Sequence, residues 1–472
     1  MKKGLFKVFF ANIVYLILNL LINFLIPKYV SIDSYSLIKT YALYISYAGF
    51  FSIGYNDGMY LKYGGKNLEE IDKKELSDNF INYIILIFFM FILILLSSII
   101  LKDNILIAFS FGMVSYNLLS YLKSLYQATG KFGLYGICLN VEKILIFIFT
   151  FLGIYIFKSD SYLFYVWVQV IVGLLVSGYL FIIFQKNFNI FKYGKFKFTE
   201  IKENIKSGIV LMLGNFSNIL FTGMDRWFVK FLLNSFSFAM YSFAASMEGI
   251  VNVFISPITI TMYNYFCKKP KLEDIKNVKN LSLIYGFLII SLAFPAKFIL
   301  EFYLTKYINS VNLIYFLFAA QLFYVIIKGI YVNLYKAQKR QKKYLLQLLI
   351  MLFVGFCLNF IFFKIFKNNE SIAFATFITA LIWFVICEIS EKTYRYNAKN
   401  YISIILILII YFTTGFMFNS IIGFMMYIIS ALVITSIFMN SSIKYLMQIL
   451  KKAYLKIIKR KIKEWFKLWL KK

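Results

Sequence analysis

Long apolar segments follow one another along almost the whole chain, at roughly 5–26, 35–56, 79–101, 104–126, 134–157, 161–184, 207–233, 236–266, 280–302, 310–334, 343–366, 370–390, 401–418 and 421–440. About twenty apolar residues span the hydrocarbon of a bilayer as a helix, and a backbone in lipid must satisfy its own hydrogen bonds, so runs of this length fold as helices. The links between them are short and polar: KYGGKN at 62–67, KDN at 102–104, KSDS at 158–161 and KNNE at 367–370. None is large enough for a soluble domain. The apolar share of 61% exceeds the 45–50% typical of soluble domains. The expected fold is an all-α polytopic membrane protein with about 14 transmembrane helices. The eighth segment is overlong, and Pro257 is positioned to kink it.

Charge placement sets the orientation. With the N-terminus on the cytoplasmic side, the inside segments (the start, 57–78, 127–133, 185–206, 267–279, 335–343, 391–400 and 441–472) hold 38 of the 51 Lys and Arg. The outside turns hold five, namely Lys28, Lys102, Lys158, Lys306 and Lys367. The positive-inside rule then puts both termini in the cytoplasm. The same placement absorbs most of the net charge of +30 without a nucleic-acid partner. Lys2, Lys3 and Lys7 precede a first segment that is too long for a cleaved leader and is followed by further spans.

The chain has no histidine, which removes histidine acid–base chemistry and histidine metal sites. Cys138, Cys267, Cys357 and Cys387 lie in apolar runs or at their edges without a paired spacing, so free thiols and no metal are expected. From Lys444 onward, Leu446, Ile449, Leu450, Ala453, Ile457, Ile458, Ile462, Trp465 and Trp469 recur at helical spacing among lysines. That pattern suits a basic amphipathic helix lying on an anionic leaflet.

An internal repeat is visible. Tyr126, Ala128, Lys131 and Tyr135 recur as Tyr335, Ala337, Arg340 and Tyr344, an offset of 209. At an offset of 206, Asn12 meets Asn218, Asn19 meets Asp225 and Tyr35 meets Tyr241. These matches suggest two six-helix bundles related by a parallel pseudo-repeat, followed by a final helix pair. The expected organisation is 1–206 for the first bundle and its basic linker, 207–400 for the second, 401–440 for helices 13 and 14, and 441–472 for the tail. In transporters built this way, substrate binds near the midplane between repeats.

The segment Ser207–Leu233 opens the second half and carries Asp225 and Arg226 side by side within its apolar run. Charges at such depth are costly and face a bundle interior or a watery cavity. Neighbouring positions on a helix diverge by about 100°, so the pair need not neutralise itself. Lys39, Lys123, Lys143, Lys297 and Lys328 lie in other spans, whereas Lys230 and Lys364 sit close enough to helix ends to snorkel. A ladder of cations suits an anion, and Lys and Arg are the usual phosphate ligands. The candidate substrate-binding residues are therefore Arg226, Lys143, Lys328, Lys39, Lys123 and Lys297. Asp225, Glu248 and Glu142, with Glu388 behind them, are candidates for coupling to a proton or sodium gradient. No catalytic residue or cofactor is expected.

The link YQATGKFGLYGICLNVEKI, the opening GNFSNILFTGMDRWFV, the start AMYSFAASMEGI of the next span and the repeat link YKAQKRQKKY together resemble the polysaccharide biosynthesis (Wzx-type, O-antigen) flippases of the multidrug/oligosaccharidyl-lipid/polysaccharide exporter superfamily. The resemblance covers roughly residues 1–440 and is diffuse. It implies a V-shaped, alternating-access exporter in the bacterial cytoplasmic membrane, with no enzymatic activity. The implied substrate is a polyprenyl-diphosphate-linked oligosaccharide moved to the outer leaflet, its diphosphate meeting the cations and its lipid tail bordered by the final helix pair. Membrane lipids and proteins of glycan polymerisation and assembly would be its partners. A multidrug exporter of the same superfamily is the nearest alternative, expected to bind cations through buried carboxylates, which the first span lacks. A membrane enzyme of glycan assembly usually needs sizeable outer loops or a buried histidine, and the chain offers neither.

Overall fold

The computed structural model describes residues 2–448 and 451, with side chains from residue 13 onward except at 139, 253, 256–258 and 260. The expected amphipathic tail lies almost wholly outside the described residues. All regular structure among the described residues is helical, as the apolar runs require. The chain divides into two compact units, Met1–Ser242 and Phe243–Lys472.

In the first unit the helices are α1 (Lys2–Tyr29), α2 (Ile32–Ile45), α3 (Tyr55–Tyr63), α4 (Lys73–Leu101), α5 (Asn104–Ala128), α6 (Phe132–Tyr155), α7 (Tyr162–Phe188), the short α8 (Ile190–Tyr193) and α9 (Phe198–Leu232). Helix α10 (Ser235–Cys267) carries the chain into the second unit, which holds α11 (Leu272–Ile290), α12 (Ala293–Phe302), α13 (Val311–Ile326), α14 (Val332–Ala337), α15 (Gln341–Phe366), α16 (Asn369–Ser390), α17 (Ala398–Met417) and α18 (Ser420–Phe438). Eleven stretches of the described residues are helical, long and apolar enough to cross a membrane, and the chain is a multi-pass membrane protein. The other three predicted segments fall on α1, on α2 with α3, and on α10.

The polar punctuation starts the helices. Asp103 accepts from the Ile105 amide at 2.8 Å, Asn368 from Ser371 at 2.8 Å, Asn397 from Asn400 at 2.9 Å and Asn419 from Ile422 at 2.9 Å. Each caps an N-terminus whose first amides have no helical acceptor.

The second predicted segment, 35–56, is not one straight helix. It breaks between α2 and α3, where Ile53 and Gly54 take φ of 48° and 79°. The break brings α3 against α9. A Cβ on Gly58 would lie 2.1 Å from the Asn204 carbonyl oxygen, and one on Gly208 would lie 2.0 Å from the Gly54 carbonyl oxygen. Only glycine permits backbones to approach this closely. Helix α9 thereby packs as part of the first unit, whose boundary falls after Ser242. The sequence divides the halves at 206/207 by topology; packing divides the chain by what α9 touches.

The repeat at offset 209 reappears in backbone geometry. In the α5–α6 link, Thr129 donates to Leu125 O at 3.0 Å, Gly130 to Gln127 O at 3.3 Å, Lys131 to Tyr126 O at 2.8 Å and Tyr135 to Lys131 O at 3.1 Å. In the α14–α15 link, Gln338 donates to Leu334 O at 2.9 Å, Lys339 to Lys336 O at 3.1 Å, Arg340 to Tyr335 O at 2.7 Å and Tyr344 to Arg340 O at 3.4 Å. Gly130 and Lys339 both adopt the left-handed conformation, with φ of 71° and 58°. The two links are the same helix stop and restart.

Candidate functional site

In the first unit, α9 positions the residue pair at the centre of the sequence argument. Asp225 is buried and accepts from the Tyr241 hydroxyl at 2.7 Å and from the Arg226 amide at 2.7 Å. The Arg226 side chain leaves the helix about 100° round from Asp225, which still lies in its field, and its Nη2 donates to the Thr222 carbonyl at 3.3 Å. Its Nε is buried without an acceptor. Gly223 makes this arrangement possible, since a Cβ there would lie 2.8 Å from the Tyr47 hydroxyl and 3.3 Å from Arg226 Nη2. The next residue, Trp227, packs its ring between Tyr44 at 5.6 Å and Phe231 at 5.2 Å.

Lys39 of α2 donates to Asn23 Oδ1 at 3.0 Å and stands 5.3 Å from the Tyr35 ring centre. The field of Arg226 reaches it, so these two predicted cations share one neighbourhood. Lys143 stands 5.7 Å from the Tyr15 ring and Lys123 stands 5.9 Å from the Tyr116 ring. Glu142 lies against α7, where a Cβ on Gly173 would come within 3.5 Å of its Oε1. Among the described residues, Arg226, Lys123 and Lys143 have no carboxylate within ion-pair distance. Among the described residues, the ion pairs of the first unit lie at its link end, joining Lys62 to Glu75 (3.0 Å) and Glu200 (3.1 Å), Lys131 to Glu69, and Lys197 to Asp78. The hydrogen bond from Lys131 holds the exposed Glu69 carboxyl below its ordinary range.

The second unit treats its cations differently. Lys297 donates to the carbonyls of Gly415 at 2.9 Å and Phe418 at 2.6 Å. It thereby caps the C-terminus of α17, where a cation meets unsatisfied carbonyls and the negative end of the helix dipole. One turn on, Glu301 accepts from the Ser420 amide at 3.2 Å and hydroxyl at 2.5 Å, capping α18. The pair clips the α17–α18 hairpin to α12. Lys328 lies in a π-helical turn, Ile327–Tyr331, 4.8 Å from the Tyr324 ring and within the field of Glu248. Such turns leave carbonyls unmatched; here Asn333 Nδ2 donates to Gly329 O at 3.0 Å and Thr259 O at 2.8 Å. Gln321 donates to Glu248.

Sequence reasoning missed Lys279. It counts as a link charge at the end of 267–279, yet α11 begins at Leu272, which sets Lys279 about two turns inside a helix. Its side chain is 1% exposed. Its ammonium donates to Glu388 at 2.5 Å, to the Tyr331 hydroxyl at 2.7 Å and to the Tyr394 carbonyl at 2.7 Å, with the Tyr396 ring centre 3.7 Å away. Glu388 also accepts from the hydroxyls of Tyr331 at 2.6 Å and Tyr401 at 2.7 Å and from the Tyr396 amide at 2.9 Å. A helical turn away, buried Glu391 holds Arg340 at 2.8 Å and Lys343 at 2.7 Å. Glu388, a coupling candidate from sequence, thus already has a cation built into the fold. The four cysteines are unpaired, and among the described residues no group of three Cys, Asp or Glu could hold a metal ion.

The chain shares the fold of the MurJ flippase and of MATE transporters. It superposes on the lipid II flippase MurJ in its inward closed conformation with a TM-score of 0.70 and 18% identity, over 92% of this chain and 99% of that one. It also superposes on the MATE multidrug transporter DinF-BH, with a TM-score of 0.54 and 16% identity, over 82% of this chain and 95% of that one. No family model and no curated protein sequence matches the chain. Identities this low establish the fold.

Proposed function

We propose that this protein is a flippase that moves a polyprenyl-diphosphate-linked oligosaccharide, such as an O-antigen or capsule repeat unit, from the cytoplasmic to the outer leaflet. It works by alternating access in the bacterial cytoplasmic membrane, with both termini cytoplasmic and no covalent chemistry of its own. The observation that carries the reading is Arg226: a guanidinium inside α9, with no carboxylate at ion-pair distance among the described residues and a buried Nε lacking an acceptor. A cation inside an apolar span with no counter-charge at ion-pair distance is expensive, and a phosphate group supplies both the charge and the forked acceptor that arginine matches. Lys39 in the same neighbourhood, with Lys143 and Lys123 elsewhere in the unit, extends the set along which an anionic head group would pass. Likeness in fold to a lipid II flippase supports a lipid-linked substrate.

Of the acids proposed for proton or sodium coupling, Asp225 and Glu248 are held by hydrogen bonds. Glu142 is the more available. Membrane lipids and glycan polymerase or assembly proteins remain the proposed partners. A multidrug exporter is the second reading, favoured by the likeness to MATE transporters such as DinF-BH. Equilibrium binding of a short-chain polyprenyl diphosphate to the purified protein separates the two. The flippase reading expects binding that weakens about tenfold or more in Arg226→Ala, in line with losing a charge-assisted contact, and partly recovers in Arg226→Lys. Tight binding of lipophilic cations with no diphosphate binding would favour the exporter.

A further inference from the structure

The link ends of the two units carry different surface charge. Over 62–78, 131 and 186–206 the first unit has eleven Lys and Arg against seven Asp and Glu; over 268–279, 336–343 and 388–399 the second has thirteen against four. The acids are also disposed differently. In the first unit the acids stay with the cations: Asp72, Glu75, Asp78, Glu200 and Glu203 share a cleft of about 370 Å³ with Lys62, Lys74 and Lys197. In the second, two of the four acids are buried. Glu388 is taken by Lys279, and Glu391 by Arg340 and Lys343. Ten exposed cations then remain on this end, Lys268, Lys276, Lys339, Lys342, Arg395 and Lys399 among them, facing exposed Glu273 and half-buried Asp274.

Membrane insertion alone does not account for this. The positive-inside rule counts Lys and Arg and is nearly indifferent to acids, so both ends satisfy it, yet one keeps a much larger uncompensated charge. The surface is also fixed in shape. Lys279 binds the Tyr394 carbonyl, the Tyr396 hydroxyl donates to the Lys279 carbonyl at 2.9 Å, and Asn400 donates to Asn280 at 2.9 Å. The three links therefore form one platform at the ends of membrane helices, at the level where lipid headgroups lie. Clustered Lys and Arg there attract anionic lipids.

We propose that the link end of the second unit is a docking surface for anionic phospholipid headgroups of the adjoining leaflet, and that the link end of the first unit is not. The buried Lys279–Glu388 pair, and buried Glu391 with Arg340 and Lys343, would serve it by holding the three links in one shape. The substrate reading enters only through the orientation, which makes the leaflet the cytoplasmic one.

The test uses the full-length protein in liposomes containing a photoreactive phosphatidylglycerol, with labelled peptides mapped by mass spectrometry. The expected result is label on 268–276, 336–342 and 392–399 at roughly fivefold or more over 62–75 and 186–206, since each unbalanced cation near a leaflet contributes about that factor. It should fall with added salt and with unlabelled phosphatidylglycerol, but not with unlabelled phosphatidylcholine. Lys339→Gln/Lys342→Gln/Lys399→Gln should lose most of the label, and Lys195→Gln/Lys202→Gln/Lys206→Gln should lose little. Equal labelling of the two ends in the wild-type protein overturns the proposal even if a variant fails to insert. Label displaced by inorganic diphosphate but not by phosphatidylglycerol would also overturn it, assigning the patch to the transported head group. Neither result would bear on Arg226 binding to a polyprenyl diphosphate, so the two ideas fail separately.

Discussion

The two units distribute charge in opposite senses. In the first, the links are laced with ion pairs while Arg226, Lys123 and Lys143 sit inside helices with no carboxylate at ion-pair distance among the described residues. In the second, Lys279 and Lys297 are bound by carboxylate, carbonyl and hydroxyl groups, while the exposed links are left strongly basic. The difference teaches where to look for function. A buried cation that the fold has already matched is part of the frame, whereas one left unmatched is waiting for a charge that comes and goes. Counting charges along the sequence cannot make that distinction; counting their partners can.

The largest effect expected from breaking this contrast lies at Lys279. Lys279→Ala would strand Glu388 among three tyrosines with no cation, and removing one partner of a fully buried pair costs about 3–5 kcal/mol. The protein should accumulate poorly or melt at much lower temperature in detergent. Replacing both partners by apolar residues, as in Lys279→Met/Glu388→Leu, should recover much of that loss. A Lys279→Ala protein of normal melting temperature would show that the pair is not part of the frame. Lys297→Met comes next. It removes a cation from the C-terminus of α17, worth up to about 1 kcal/mol, and should lower thermal stability slightly while leaving transport per inserted molecule unchanged. Loss of transport at normal stability would instead move Lys297 into the substrate path, where the sequence puts it.

The smallest effect is expected at the Lys131–Glu69 contact, where the carboxylate is exposed, the counterpart of Arg340 and its buried partner Glu391. The Glu69 carboxyl is held below its ordinary range in the folded protein. Whatever stability it contributes is therefore present above its unfolded value of about 4.3 and is lost as pH falls through the lower folded value. Glu69→Gln should melt slightly below wild type at pH 7 and coincide with it in acid. Glu391→Gln should show the larger deficit, because two cations surround a buried carboxylate there. Equal deficits for the two would erase the contrast between the twin links.

The helical architecture is legible in the sequence because the length and apolarity of a span are local properties. The repeat is legible too, through Tyr126, Ala128 and Tyr135 and their partners at offset 209. Even so, the left-handed residue in each link is Gly130 in one copy and Lys339 in the other, so the shared turn is hidden at the position that defines it. Arg226 is visible as a charge in an apolar run, and its divergence from Asp225 follows from helical spacing. The Lys279 knot is not visible. Its partners are Tyr331, 52 residues on, and groups of α16 and the 391–401 link, 109 residues or more away, and Lys279 reads as one more lysine in a charged link. The break at Ile53–Gly54 is hidden for a related reason: the glycines that allow it are explained only by a helix some 150 residues further on.

The central claim is that Arg226 is unmatched because an anionic lipid head group is its partner. Its most direct test is translocation of a polyprenyl-diphosphate-linked oligosaccharide in proteoliposomes, read as the fraction of glycan reaching the far leaflet and normalised to inserted protein. Arg226→Ala should be inserted and folded yet close to inactive, Arg226→Lys should retain part of the activity, and Lys143→Ala and Lys328→Ala should each be partly impaired. Near-normal translocation by a fully inserted Arg226→Ala protein would contradict the account.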